Sequence, residues 1–226
     1  MNKSAIRFIH VSPDIAAVDI YLNQNLFIQD LAYEEITEYS EFEPDEYHVT
    51  VFRTGETTNP LIDDHLAVSD REVMIVAVNG TSPNVNLMPT AQSLKCPPPN
   101  QAMLRFIHLS PDIAGLDVVL ADNTILISGM EYQQVSDYLP LKAGTYDLRF
   151  RPSGLDSVVL EVFGIHLKSE QLYTIVTTGR LEGQPDLKII TVLDTSTYCV
   201  QEMAGPRRPD ARSYNWESKQ IKLHYR

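Results

Sequence analysis

His10, Ser12 and Asp14 stand at alternate positions, and His108, Ser110 and Asp112 repeat that spacing ninety-eight residues later. Serine, histidine and a carboxylate are the groups of nucleophilic hydrolysis. That chemistry requires the hydroxyl within hydrogen-bond reach of an imidazole, which the carboxylate orients from its far side. On an extended segment, residues two apart share a face and lie about 7 Å apart. No Gly-x-Ser-x-Gly elbow presents either serine. The spacing therefore predicts a structural role: Ser and Asp hold a turn, and His satisfies a buried backbone group. No catalytic residue is expected.

Other groups could hold a metal. Asp19 and Asp117 lie between apolar residues on strands, where an unpaired carboxylate is costly. Arg7 and Arg105 are the expected partners, since both pairs occur in both copies. A set of His10, Asp14 and Asp19 offers too few oxygens for Ca²⁺. Asp63-Asp64-His65 is the densest ligand-like run, but its counterpart Val162-Phe163-Gly164 has none of those groups. A solvated strand end is expected there. Cys96 and Cys199 match no zinc or redox spacing and are expected as free thiols. Neither a metal nor a cofactor is expected.

The elements that must position these residues are legible because the chain is duplicated. Arg7-Phe8-Ile9-His10-Val11-Ser12-Pro13-Asp14-Ile15 recurs as Arg105-Phe106-Ile107-His108-Leu109-Ser110-Pro111-Asp112-Ile113, the mark of a repeated unit. An extra residue in the 121–124 turn moves the offset to 99, which places Tyr33, Tyr39, Tyr47, Gly55 and Gly80 on Tyr132, Tyr138, Tyr146, Gly154 and Gly179. Alternation at Val18, Ile20 and Leu22 and at residues 47–52 predicts strands; the apolar runs at 73–78 and 172–176 predict central ones. Short strands with turns every 8–12 residues point to an all-β fold, two tandem antiparallel β-sandwiches of immunoglobulin or transthyretin type. The predicted boundaries are 4–92 for the first repeat, 93–101 for a Pro-rich linker, 102–197 for the second repeat and 198–226 for a basic tail. Three consecutive prolines at 97–99 stiffen the linker.

Composition limits the partners. The 226 residues carry a net charge of −12, which argues against nucleic acid. Residues 200–226 hold six basic and three acidic groups, a net of +3 that leaves −15 on the remainder. An acidic body with a basic tail predicts that the tail docks on the body or on another copy, giving a homo-oligomer or another protein complex. The alternating Ile221–Tyr225 could add to a sheet edge. No apolar run approaches the length of a membrane span. Met1–Ser4 leads straight into a strand without an apolar signal region, so a cytoplasmic or spore-associated location is expected over secretion.

The Arg-Phe-Ile-His-x-Ser-Pro-Asp stretch, the Val/Leu-Asp-Ile/Val strand after it and the Ala-Gly-Thr-Tyr turn resemble the bacterial domain-of-unknown-function family 4397. The resemblance covers about residues 5–90 and 103–195. It implies tandem β-sandwich modules, with secreted or surface-attached members and signal-less two-copy members in spore-forming bacteria. It carries no functional residue over. Arg7, His10, Ser12, Asp14, Asp19, Arg105, His108, Ser110, Asp112 and Asp117 thus stand as a structural signature. The expected function is a non-catalytic structural or protein-interaction module, spore- or envelope-associated. The alternative is a small-ligand or carbohydrate binder that stacks sugars on Tyr33, Tyr39, Tyr132 and Tyr138, although core or edge packing of these rings is expected ahead of that.

Overall fold

A computed structural model describes residues 3–93 and 96–194; the tail, with Cys199 and the strand expected at Ile221–Tyr225, lies outside them. The described residues form sixteen strands and no helix. The first repeat contains β1 (Ser4–His10), β2 (Ala17–Leu22), β3 (Asn25–Ala32), β4 (Ser40–Phe42), β5 (Asp45–Arg53), β6 (Ile62–Val68), β7 (Val73–Thr81) and β8 (Asn84–Ala91). The second contains β9 (Gln101–His108), β10 (Gly115–Leu120), β11 (Ile125–Glu131), β12 (Leu139–Lys142), β13 (Gly144–Pro152), β14 (Leu160–Leu167), β15 (Leu172–Thr178) and β16 (Lys188–Asp194).

Each repeat is a sandwich of two four-stranded sheets. The first pairs the order β4-β1-β7-β8 with β3-β2-β5-β6, and the second pairs β12-β9-β15-β16 with β11-β10-β13-β14. Alternation decides which side chains meet. Ile6 and Phe8 of β1, Val18 and Ile20 of β2, Val49 and Val51 of β5 and Met74, Val76 and Val78 of β7 form one core. Leu104, Phe106, Val118, Leu148, Phe150 and Ile175 stand in the corresponding core of the second repeat. A fully buried side chain of this size contributes about 1.5–3 kcal/mol.

One pairing departs from an all-antiparallel expectation. β1 runs parallel to β7, with Phe8 opposite Val76, and β9 runs parallel to β15, with Phe106 opposite Ile175. The intervening chain passes through the opposite sheet, so no hairpin imposes antiparallel pairing on these strands. Both strands of each parallel pair are buried on two faces, which explains their continuous apolar sequence.

The second face of each pair is covered by the other repeat. Ile9, Val11, Ile75 and Ala77 join Ile107, Leu109, Val176 and Val192 in a third apolar cluster, flanked by Ile36, Met88, Val135 and Ile190. Equivalent residues of the two repeats therefore face one another across a pseudo-two-fold axis, as in an isologous dimer interface. The two sandwiches are held by this cluster as well as by the linker.

Candidate functional site at the interface between the repeats

The signature residues act first on their own loops. In the first copy the His10 ring bonds the Ile15 carbonyl through Nε2 at 2.9 Å, and its Nδ1 accepts from Ser12 N at 3.4 Å. The ring is therefore neutral, with its proton on Nε2. Ser12 Oγ donates to the Gly80 carbonyl at 2.7 Å, and Asp14 Oδ2 accepts from Ser82 N at 2.9 Å. The second copy repeats these bonds. His108 Nε2 meets the Ile113 carbonyl at 2.9 Å, Ser110 Oγ donates to the Gly179 carbonyl at 2.8 Å, and Asp112 accepts from Leu181 N and Glu182 N. Each signature thus fastens the loop after the first strand to the hairpin between the seventh and eighth. Both serine hydroxyls bond a carbonyl instead of an imidazole.

Burial holds both imidazoles below the ordinary histidine range, against the bonds to Ile15 and Ile113 and the nearby Asp14 and Asp112, which pull the other way. Tyr33 and Tyr132 stand edge-on to these rings, with centroids 6.0 and 6.2 Å away.

The expected pairing of Asp19 with Arg7 and of Asp117 with Arg105 does not form. Asp19 accepts from the backbone N–H of Asp30 at 2.8 Å and of Gly55 at 3.0 Å. Asp117 accepts from Gly129 N at 2.7 Å and from the hydroxyls of Ser153 and Ser128 at 2.8 and 3.3 Å. Asp30 and Gly129 are left-handed residues at the bulges of β3 and β11, with φ of +57° and +67°, and Gly55 is a left-handed turn residue at +80°, so the ladders leave their donors unused. Arg7 and Arg105 instead lie on the face of β1 and β9 that carries Ile9 and Ile107, toward the other repeat.

There they build a buried polar centre. Arg7 lies 4.4 Å from the Tyr39 ring centroid, and its Nη2 donates to the Asp194 carboxylate at 3.1 Å and to the Leu193 carbonyl at 3.2 Å. Arg105 lies 4.7 Å from the Tyr138 ring centroid; its Nε donates to Thr174 Oγ1 at 2.9 Å and its Nη1 to the Ala91 carbonyl at 2.6 Å. Asp194, 2% exposed, also accepts from Tyr138 OH and Thr174 Oγ1 at 2.6 Å each and from Gln92 Nε2 at 2.5 Å. Tyr39 OH donates to Gln92 Oε1 at 2.6 Å, which extends the network into the first repeat. Burial pushes the Asp194 carboxyl up, against both guanidiniums and its hydrogen-bond donors, and pushes Arg7 down.

Further out, Tyr33 OH meets Thr178 Oγ1 at 2.9 Å and Glu34 pairs with Lys188 at 2.7 Å. The equivalent Tyr132 and Gln133 reach Asn79, at 3.5 and 2.9 Å. Burial raises the Tyr33 hydroxyl to about 12. Tyr33, Tyr39, Tyr132 and Tyr138 are therefore ring partners and hydrogen-bonding groups of the interface, the packing role expected of them ahead of a sugar platform. A tyrosine in a loop beside a sheet reads the same in sequence whether solvent or a second domain covers it.

Asp63, Asp64 and His65 lie exposed on β6. Sequence reasoning overlooked their cross-strand neighbour His48, whose Nε2 lies 2.5 Å from Asp63 Oδ1 and whose ring centroid lies 5.2 Å from that of His65. Among the described residues no group of three or more His, Cys, Asp or Glu is placed to hold a metal ion. Cys96 is a free, exposed thiol. Gln92, Thr174 and Asp194 were also missed. Gln92 and Asp194 share a register position but differ in type, so internal identity does not reveal them; Tyr39 and Tyr138 were visible through their recurrence.

A family model described as Domain of unknown function (DUF4397) matches residues 4–119 and 110–201, most of the chain. The chain belongs to that family. No curated protein matches it. Among solved structures, the C-terminal domain of AlgF from P. aeruginosa is 13% identical with a TM-score of 0.32, covering 41% of this chain and 100% of that one. A family CBM26 module of Eubacterium rectale Amy13K, solved with maltoheptaose, is 11% identical with a TM-score of 0.27, covering 86% and 99%. A putative adhesin from Bacteroides ovatus is 11% identical with a TM-score of 0.25, covering 85% and 93%. Among the described residues no helix is long and apolar enough to cross a membrane.

Proposed function

We propose that this DUF4397 chain is a non-catalytic interaction module of a bacterium, two sandwiches locked into one body that presents its outer sheets to a protein partner. The observation that carries the reading is the engagement of the signature polar groups. His10, Ser12, Asp14 and their copies bond backbone within the chain, and both signature arginines face the interface. A nucleophile needs a hydroxyl free to meet its base, and Ser12 and Ser110 are fully buried on carbonyl oxygens. The family resemblance supports a spore- or envelope-associated setting. The basic tail is the proposed contact with another copy or another protein.

Two measurements test this. Treatment with a fluorophosphonate probe leaves Ser12 and Ser110 unlabelled; modification of either serine in folded protein overturns the non-catalytic reading. Light scattering on the full chain and on a chain ending at Thr197 tests the tail, and identical monomers in both remove tail-mediated assembly.

A further inference from the structure

The pseudo-symmetric centre is uneven: each guanidinium keeps one buried nitrogen without a partner, Arg7 Nε and Arg105 Nη2, but only Arg7 has a carboxylate in hydrogen-bond contact. Residue 92 follows β8 opposite Val73 and residue 194 ends β16 opposite Leu172, so Gln92 and Asp194 are structural equivalents. Asp194 places its carboxylate on Arg7. Gln92 turns its amide toward Tyr39 and Asp194, and no acceptor reaches Arg105 Nη2. Arg105 is 3% exposed, with Nε and Nη1 engaged and Nη2 buried without a partner. Two buried guanidiniums thus share one buried carboxylate. An unpaired donor on a buried cation is costly enough to call for a partner.

Beside it lies a cleft of about 480 Å³ lined by Arg105, Tyr138, Gln92, Ser93, Thr90 and the strand edge at Ala91. That volume falls within the range of small-molecule sites. We infer that this cleft binds a single carboxylate group, which meets Arg105 as Asp194 meets Arg7. The chain itself displays the recognition: carboxylate oxygens against a guanidinium stacked on tyrosine, with hydroxyl donors beside them. Asp137 and Ser136 also line the cleft, and the Asp137 carboxylate opposes an incoming anion. The site therefore prefers a monoanion to a multiply charged one. The carboxylate can come from a free small acid or from a peptide C-terminus.

The Arg105 Nε–H resonance in ¹⁵N-labelled full chain is followed during titration with acetate, N-acetylglycine, acetamide and chloride at constant ionic strength. A saturable shift with either carboxylate, absent with acetamide and chloride, is expected. Saturation by acetate alone supports a site for a free acid, and saturation by N-acetylglycine alone supports one for a peptide terminus. Ala91→Trp, at an exposed side chain on the cleft, is expected to abolish the shift. Asp137→Asn, also exposed, is expected to tighten it roughly threefold, as loss of one surface charge allows. No saturation with either carboxylate, an equal response to chloride, or a response unchanged by both variants overturns the site. It is independent of the interaction role, since the serine-probe and light-scattering results do not depend on it.

Discussion

Gln92 and Asp194 occupy the same register position in the two repeats and bond one another, Nε2 to Oδ1 at 2.5 Å. One neutral and one charged residue thus meet near the pseudo-two-fold axis. Two aspartates there would set like charges together in a buried site. The neutral Gln92 instead donates its amide to the Asp194 carboxylate.

Removing the Asp194 carboxylate leaves Arg7 buried without its counter-ion. Asp194→Ala is expected to cost about 3–5 kcal/mol, the range for breaking a buried ion pair from one side. Gln92→Ala, which removes neutral hydrogen bonds, is expected to cost about 1–3 kcal/mol. Urea denaturation of both variants checks this, and an Asp194→Ala loss no greater than that of Gln92→Ala would count against the buried-pair assignment.

Ile9 and Ile107 belong to one apolar cluster across the interface. Each change to Ala is expected to destabilise by about 2–5 kcal/mol. Because the two sites share a cluster, the double variant should depart from additivity by at least about 0.5 kcal/mol. Additive losses in a double-mutant cycle would mean that the repeats do not pack on each other in solution.

Gly80 and Gly179 sit in hairpins with φ of +100° and +82°, and a Cβ there would stand 2.2 Å from the Asn84 carbonyl oxygen and 2.1 Å from that of Asp186. Backbone must move to admit it. Either change to Ala is expected to cost about 3 kcal/mol or more, since the left-handed conformation alone carries about 1–3. Gly55→Ala, at φ +80° with open space around it, is expected to cost about 1–2 kcal/mol. Thermal unfolding of the three variants ranks them, and equal losses would refute the close approach.

His10 and His108 have folded-state values below the ordinary one, because burial opposes the charged ring. The groups facing them are the Tyr33 and Tyr132 rings and the Asp14 and Asp112 carboxylates. The unfolded chain therefore takes up protons first as pH falls. Stability held above about pH 6.5 is lost below it, toward the lower folded values, by up to about 1.4 kcal/mol per histidine for each pH unit. Comparing urea midpoints at pH 7.0 and 5.5 measures the loss. His108→Gln is expected to reduce the slope by about half; an unchanged slope would remove the histidines as its source.

The duplication, the all-β class and the central apolar strands were determined by sequence alone, because period-two alternation and a nine-residue repeat are local properties. The same logic placed Ser-Pro-Asp in a turn, since that chemistry is written in adjacent residues. What Arg7 and Tyr39 touch was decided only in three dimensions. A strand residue has two faces, and sequence cannot say whether the outer one meets water or a second sheet. The sandwich core accounts for Phe8 and leaves Arg7 facing outward; only the packing of one repeat on the other turns that outward face into a buried one, with Asp194 waiting 187 residues away.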